Sequence, residues 1–202
     1  MNAMDSFIER AQGTDKTLVL PEAQDERVVE AARMIVDRGI ADVILLASDK
    51  ELEENGARER VQDDRITVVD HTRSSDAEQL AACLYERRKH KGLSMDEARE
   101  TVKDRIYFAN LMVNQGMADG LVAGSIASTP DMVRTAFHCI DTAPGLKKAS
   151  SFFVMVLKTP TAGGESVLFY ADSGVTPEPS SEDLVDIALA TARSYHSLIG
   201  TE

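Results

Sequence analysis

Apolar residues recur along this chain in two rhythms, and the switching between them predicts most of its elements. Short unbroken runs read as strands buried on both faces: Thr17-Leu-Val-Leu20, stopped by Pro21, then Asp42-Val-Ile-Leu-Leu46, then Ile66 to Val69. Between these runs the apolar positions fall at helical spacing. Ala3 to Gln12 predicts a short amphipathic helix with Phe7, Ile8 and Ala11 on one side. Asp25 is placed to cap a helix carrying Val28, Ala31, Ala32, Ile35 and Val36, which Gly39 ends. A polar helix follows near Asp49 to Arg60. Strand, helix and strand within about 30 residues make a βαβ unit, so the sheet is expected to be parallel.

The same rhythm continues for a time and then changes. Asp76 to Lys91 predicts a helix with Leu80, Ala81, Leu84 and Tyr85 inward. Ser94-Met-Asp-Glu97 is a capping box that opens a long helix to about Gln115, with Ala98, Val102, Ile106, Ala109 and Val113 as its inward stripe. Leu121-Val-Ala123 reads as a further buried strand. After Thr142-Ala-Pro-Gly145, a domain boundary or hinge, Ser151 to Leu157 and Val167 to Tyr170 predict a local hairpin around Gly163-Gly164. Ser180 or Ser181 caps a last helix, apolar at Leu184, Ile187, Ala188 and Ala192. Residues 1–145 are thus expected to form a first α/β domain and 146–202 the beginning of a second. A parallel α/β architecture should feed another strand into the sheet after Glu202, so the sequence reads as unfinished.

Two stretches carry candidate chemistry. In Asp119 to Arg134, a strand is followed by Gly124 and Ser125, which leave the backbone bare, and then by a helix capped at Ser128 or Thr129 with Pro130 in its first turn. A strand, a small-residue loop and a helix start can hold an anion, because unpaired N–H groups and the helix dipole both face the loop. Arg134 adds a fork suited to phosphate oxygens. The plainer reading is an ordinary connection with a capped helix and a surface arginine, since Asp131 already answers part of the dipole. The second stretch is Arg87-Arg-Lys-His-Lys91 before Gly92. Cations and a glycine at a helix end are a stop signal, yet five potentially cationic side chains exceed what a stop requires. They also suit a phosphorylated ligand.

Charge and composition narrow the classes. The net charge is −12, from 34 acidic and 22 basic side chains, which argues against broad nucleic-acid or anionic-membrane binding. No apolar run approaches the roughly 20 residues of a membrane span, and the start of the chain lacks a signal-peptide core; the expectation is a cytoplasmic protein. Cys83 and Cys139 each stand alone within a helical pattern, so neither a disulfide framework nor a thiolate metal site is expected. His71, His90, His138 and His196 lack zinc-ligand spacing, and no metal site is predicted. Neither a Gly-x-Gly-x-x-Gly fingerprint nor a Gly-Lys-Ser/Thr loop nor a Gly-x-Ser-x-Gly elbow occurs. Asp172, after the second hairpin strand, sits where catalytic groups occur in α/β sheets, although a lone loop carboxylate is more often a turn or cap residue.

Four segments, taken together and in order, resemble one family. They are Leu18-Val-Leu-Pro-Glu-Ala-Gln-Asp-Glu-Arg27, Leu84-Tyr-Glu-Arg-Arg-Lys-His-Lys-Gly92, Ala118 to Ser125 with Ser128, Thr129 and Arg134, and Tyr170-Ala-Asp172 before Pro177-Glu-Pro179. The family is phosphate acetyltransferase (phosphotransacetylase). The resemblance implies a three-layer parallel-sheet α/β domain of the isocitrate/isopropylmalate dehydrogenase-like fold, a second α/β domain, and an active site in the cleft between them. It implies a homodimer that moves acetyl reversibly between coenzyme A and inorganic phosphate, with coenzyme A as substrate and no bound cofactor or metal. Arg88 and Arg134 match arginines that handle coenzyme A and phosphoryl groups, and Ser128 and Thr129 match the hydroxyls beside them, with Gly124 and Ser125 in the adjoining loop. Family chains continue past the length seen here, returning to complete the first domain. The serine, arginine and aspartate that act on the acyl group are expected beyond Glu202. A butyryl-transferring relative and a non-catalytic acetyl-CoA-sensing module are the alternatives. Ser173-Gly174 departs from the residues usual in the family after Tyr-Ala-Asp.

Overall fold

The protein is described by a computed structural model covering residues 3–143, 146, 149–164 and 166–199. Two compact units are resolved: Ala11 to Asp141, and the residues up to Arg10 together with those from Thr142 onward. Pro144 and Gly145 of the expected hinge, and the last three residues of the chain, lie outside the described residues.

The larger unit is an α/β sandwich around a four-stranded sheet. Its strands are β1 (Thr17–Leu20), β2 (Asp42–Leu46), β3 (Ile66–Val69) and β4 (Gly120–Leu121). They run in the order β3-β2-β1-β4, and every pairing is parallel. The helices are α2 (Glu26–Asp37), α3 (Asp49–Glu54), α4 (Ala77–Arg88), α5 (Met95–Val102), α6 (Arg105–Asn114) and α7 (Thr129–Cys139); α1 (Ala3–Ala11) precedes β1.

Alternation along the strands explains the layering. Val19 and Leu46 join a core with Leu80, Leu84, Phe108 and Leu111, whereas Leu20, Val43 and Leu45 join a second core with Val29, Ala32 and Leu52. Successive side chains therefore enter opposite cores, and both faces of the sheet are covered. The parallel sheet expected from the apolar runs, and the layered α/β arrangement that the resemblance implies, are what the molecule adopts. Strands β1 to β3 occupy the ranges read from the sequence.

Three expectations are corrected. The helix read as continuous from Ser94 to about Gln115 is two helices, because Asp104 accepts hydrogen bonds from the amides of Ile106 and Tyr107 and so caps a fresh start. The strand expected at Leu121 to Ala123 is shorter, Gly120–Leu121. The polar helix expected near Asp49 to Arg60 ends at Glu54.

The smaller unit holds a hairpin of β5 (Phe152–Val156) and β6 (Val167–Ala171), antiparallel from Phe152 opposite Ala171 to Val156 opposite Val167. Helix α8 (Ser181–Ile199) is capped by the Ser180 hydroxyl, which accepts from the Asp183 amide. Phe169 stacks on Phe152 at 5.0 Å and meets the edge of Tyr195 of α8 at 5.2 Å. The inward stripe expected on α8 is only partly covered. Ile187 is buried, but Leu184, Ala188 and Ala192 are exposed.

Candidate functional site

The carboxyl ends of β1 and β4 lie side by side, since Val19 pairs with Leu121. The chain leaving β1 turns at Pro21-Glu22, and the chain leaving β4 enters the loop Gly124 to Ala127. Glu22 is 1% exposed and its carboxylate is wrapped by that loop. Its Oε2 accepts from the Gly124 amide at 2.6 Å, the Ser125 amide at 2.9 Å and the Ser125 hydroxyl at 3.2 Å. Its Oε1 accepts from the amides of Ile126 at 3.0 Å and Ala127 at 2.7 Å. Burial opposes the charge, but the amides of Ala127, Gly124, Ser125 and Ile126 outweigh it and hold the carboxyl below its ordinary 4.5. Gly124 has φ +109 with open space where a Cβ would stand, so the left-handed backbone is what requires glycine.

The strand, loop and helix start do gather donors around an anion, and the anion is an unexpected one. The N–H groups of the loop are occupied by the protein's own carboxylate. Gly124 and Ser125 give their donors to Glu22. Glu22 stands in the motif Leu18 to Arg27, where nothing local gives it a role; its partners lie about a hundred positions away, and no local spacing signals them.

The helix start is likewise self-satisfied. The Ser128 hydroxyl accepts from the Asp131 amide at 3.3 Å and donates to the Asp131 carboxylate at 2.6 Å, which makes Ser128 the cap of α7. Arg134, one turn further, is exposed and ion-paired with Asp131. Thr129 is exposed at the first helical position, and its hydroxyl has no hydrogen-bond partner among the described residues.

The basic end of α4 differs. Arg87 is tied down: its guanidinium meets Asp141 at 2.9 Å and the His138 carbonyl at 3.4 Å. Arg88 is half-buried, and its guanidinium has no ion pair or hydrogen bond among the described residues. It lines a cavity of about 280 Å³ with Lys91, Glu97, Thr101, Tyr107 and His138. Gly92, at φ +90, turns the chain out of the basic segment and back along the cavity into α5. Glu97 is anchored by the capping box, accepting from the Ser94 amide and hydroxyl. Tyr107 and His138 share a hydrogen bond of 2.7 Å between the hydroxyl and Nδ1.

Arg134 is not among the walls of this cavity, yet both arginine charges reach it. The His138 imidazole lies below its ordinary 6.5, first through burial and then through Arg88 and Arg134. Arg88 and Arg134 thus act on the same imidazole from separate helices. A space of this size falls just below the roughly 300–1,000 Å³ of pockets for drug-sized ligands. It suits a compact oxygen-rich anion or one end of a larger molecule.

The remaining candidates are structural. Asp172 accepts from the Ser151 hydroxyl at 2.5 Å and from the amides of Gly174, Val175 and Thr176, so it organises the turn after β6. Burial works against its charge, and the Ser151 hydroxyl and these amides overcome it, lowering the carboxyl well below the ordinary value. Cys139 is buried, which pushes its thiol up to about 12 and leaves it an inert core residue. Among the described residues no group of His, Cys, Asp and Glu could hold a metal ion, and no helix is long and apolar enough to cross a membrane.

Comparison with known proteins places these features in a family. The sequence profile described as phosphate acetyl/butaryl transferase matches residues 2–202. A phosphate acetyltransferase of Thermoanaerobacterium thermosaccharolyticum is 39% identical over 202 residues, covering 100% of this chain and 61% of that protein. One of Acetivibrio thermocellus is 40% identical, again over the whole chain and 60% of the relative. Among solved structures, a phosphotransacetylase from Streptococcus pyogenes superposes with a TM-score of 0.86 at 28% identity, covering 97% of this chain and 58% of that one. The EutD phosphotransacetylase from Staphylococcus aureus gives 0.84 at 28% identity, covering 97% and 57%. This chain therefore spans about 60% of the length of the curated relatives it matches. It belongs to the phosphate acetyl/butaryl transferase family.

Proposed function

We propose that this chain is the portion of a phosphate acetyltransferase that binds the anionic substrates. The reaction moves an acetyl group from acetyl-CoA to inorganic phosphate, giving acetyl phosphate and coenzyme A, and runs in both directions. One observation carries the reading: Arg88, without an ionic partner among the described residues, stands beside Lys91 in a cavity of an otherwise acidic protein. Acyl transfer to or from phosphate needs cations beside the phosphoryl oxygens, and a guanidinium provides a charge-assisted donor pair for them. In this reading Arg88 and Arg134 supply that charge, and Ser128 and Thr129 stand at the helix start next to Arg134. The loop residues Gly124 and Ser125 contribute shape, since their donors are on Glu22.

The groups that act on the thiol and on the tetrahedral intermediate come, in this reading, from the length of the family that this chain does not cover. Residues 1–145 form a first domain, and 146–202 begin a second. The active enzyme is a cytoplasmic homodimer using coenzyme A as substrate and needing no resident cofactor or metal. The matched family embraces acetyl and butyryl enzymes, while the relatives described above are acetyltransferases, which favours acetyl. Titration calorimetry with coenzyme A, run beside an assay for acetyl phosphate formation, tests the proposal. Binding of coenzyme A that Arg88→Ala weakens supports it; no binding to the parent chain refutes it. Butyryl phosphate formed faster than acetyl phosphate by the full-length relative would shift the reading to the butyryl class.

A further inference from the structure

Glu22 is the one acidic side chain of the larger unit that is almost wholly buried, and it faces five donors and no cation. A surface-loop glutamate accepts from water, whereas this one replaces water at four consecutive amides, Gly124 to Ala127. Such a run of converging N–H groups is an anion cradle. The two loops are clasped a second time by Arg27, whose guanidinium reaches the Ser125 carbonyl at 3.5 Å. Behind the corner, Arg105 donates to the Pro21 carbonyl at 3.1 Å and to Glu51 at 2.6 Å, which fixes the backbone that carries Glu22.

We propose that Glu22 is a positioning residue, a built-in anion on which residues 124–127 fold and which thereby sets the start of α7, where Ser128 and Arg134 stand. The inference deepens the function proposed above and rests on it for the role of Arg134. Its physical content is a match of number and kind. A carboxylate offers two oxygens and no donor, and all of its partners are donors. Glutamine would turn an NH2 toward a pair of amides, so Glu22→Gln sets donor against donor with almost no change of shape. Glu22→Gly goes further and empties the cradle, leaving its donors to be met by the carboxylate of added formate.

The test uses backbone amide hydrogen exchange on the full chain, with coenzyme A titration as a second readout. In Glu22→Gln the amides of 124–127 and of Asp131 and Met132 should exchange about tenfold faster or more, while those of β1 to β3 stay protected. In Glu22→Gly, formate should restore slow exchange at 124–127, and acetamide, which is neutral, should not. The affinity for coenzyme A should fall in both variants, and formate should recover it in Glu22→Gly. Unchanged exchange at 124–127 in Glu22→Gln would overturn the proposal, as would a Glu22→Gly chain indifferent to formate. Should Glu22→Gly not fold, Glu22→Gln alone decides by the same exchange criterion. If the loop loosens but Asp131 and Met132 do not, Glu22 holds the loop without setting α7, and the positioning role fails. If the parent chain does not bind coenzyme A, the function proposed above fails, while the exchange and formate results still decide what Glu22 does.

Discussion

Two places in the larger unit are built to meet negative charge, and they differ in whether that charge is already present. The loop after β4 has its anion inside it: Glu22 takes four backbone amides and a hydroxyl. The end of α4 has cations without partners: Arg88 lines its cavity unpaired among the described residues, and Lys91 stands beside it. A satisfied site gives shape, and an unsatisfied one gives affinity. Donors that lost the buried carboxylate on which they converge would penalise folding, whereas a half-buried guanidinium facing an open cavity costs little until a ligand arrives. In the function proposed above, the contrast makes Glu22 a source of stability and Arg88 a source of ligand affinity.

The largest expected effect lies on the satisfied side. Glu22→Ala should lower the unfolding free energy by about 2–4 kcal/mol, because removing one partner of a buried charged network strands the others. Urea unfolding followed by circular dichroism reads this directly. A loss under about 0.5 kcal/mol, the range of ordinary surface changes, would erase the contrast.

Next comes Arg88→Ala, with the opposite signature. Stability should move by no more than about 0.5 kcal/mol. The dissociation constant for coenzyme A, or the Michaelis constant for acetyl phosphate in a full-length relative carrying the same change, should rise about tenfold or more. Arg87→Ala is the matched control. Its ion pair with Asp141 and its contact to the His138 carbonyl are structural, so it should lose stability and keep more of its affinity.

Arg134→Ala should follow with a smaller rise, roughly fivefold, because its exposed pairing with Asp131 competes with a ligand. Asp131→Asn offers the reverse experiment: it frees Arg134, so affinity for an anionic ligand should hold or rise. A fall in affinity in that variant would remove Arg134 from the site.

The smallest effect concerns pH. His138 lies below its ordinary 6.5, by burial first and then by the two arginine charges. The folded chain thus binds fewer protons there than the unfolded chain. Stability from this group is intact above about 6.5 and declines as pH falls toward the lowered value. His138→Gln should flatten that decline between pH 7 and 5, measured as the urea midpoint across the range. A steeper decline in the variant would show that the sign is wrong.

What could be read from the chain was what is local. Unbroken runs such as Val43-Ile-Leu-Leu46 fix a parallel strand because both of its faces are buried, and the caps at Asp25, Ser94 and Ser128 mark helix starts by chemistry within three residues. The break at Asp104 was hidden because the apolar stripe on either side keeps helical phase across it, while the carboxylate that interrupts the helix is a single polar residue. The split between Arg87 and Arg88 was beyond any local signal, since Asp141 decides it from a different helix end. Glu22 was illegible for the same reason at greater distance. The motif marks its neighbourhood, but only the adjacency of β1 and β4 brings its carboxylate to the loop.

The most direct test is an amide NMR titration of the isotopically labelled chain with coenzyme A. The account predicts that signals from Arg88 to Gly92 and around Tyr107 and His138 shift with saturation, while the amides of Gly124 to Ala127 hold their positions because Glu22 keeps them. Large shifts at those four amides with none at the end of α4 would contradict it, since the ligand would then be sitting where the protein's own carboxylate is claimed to sit.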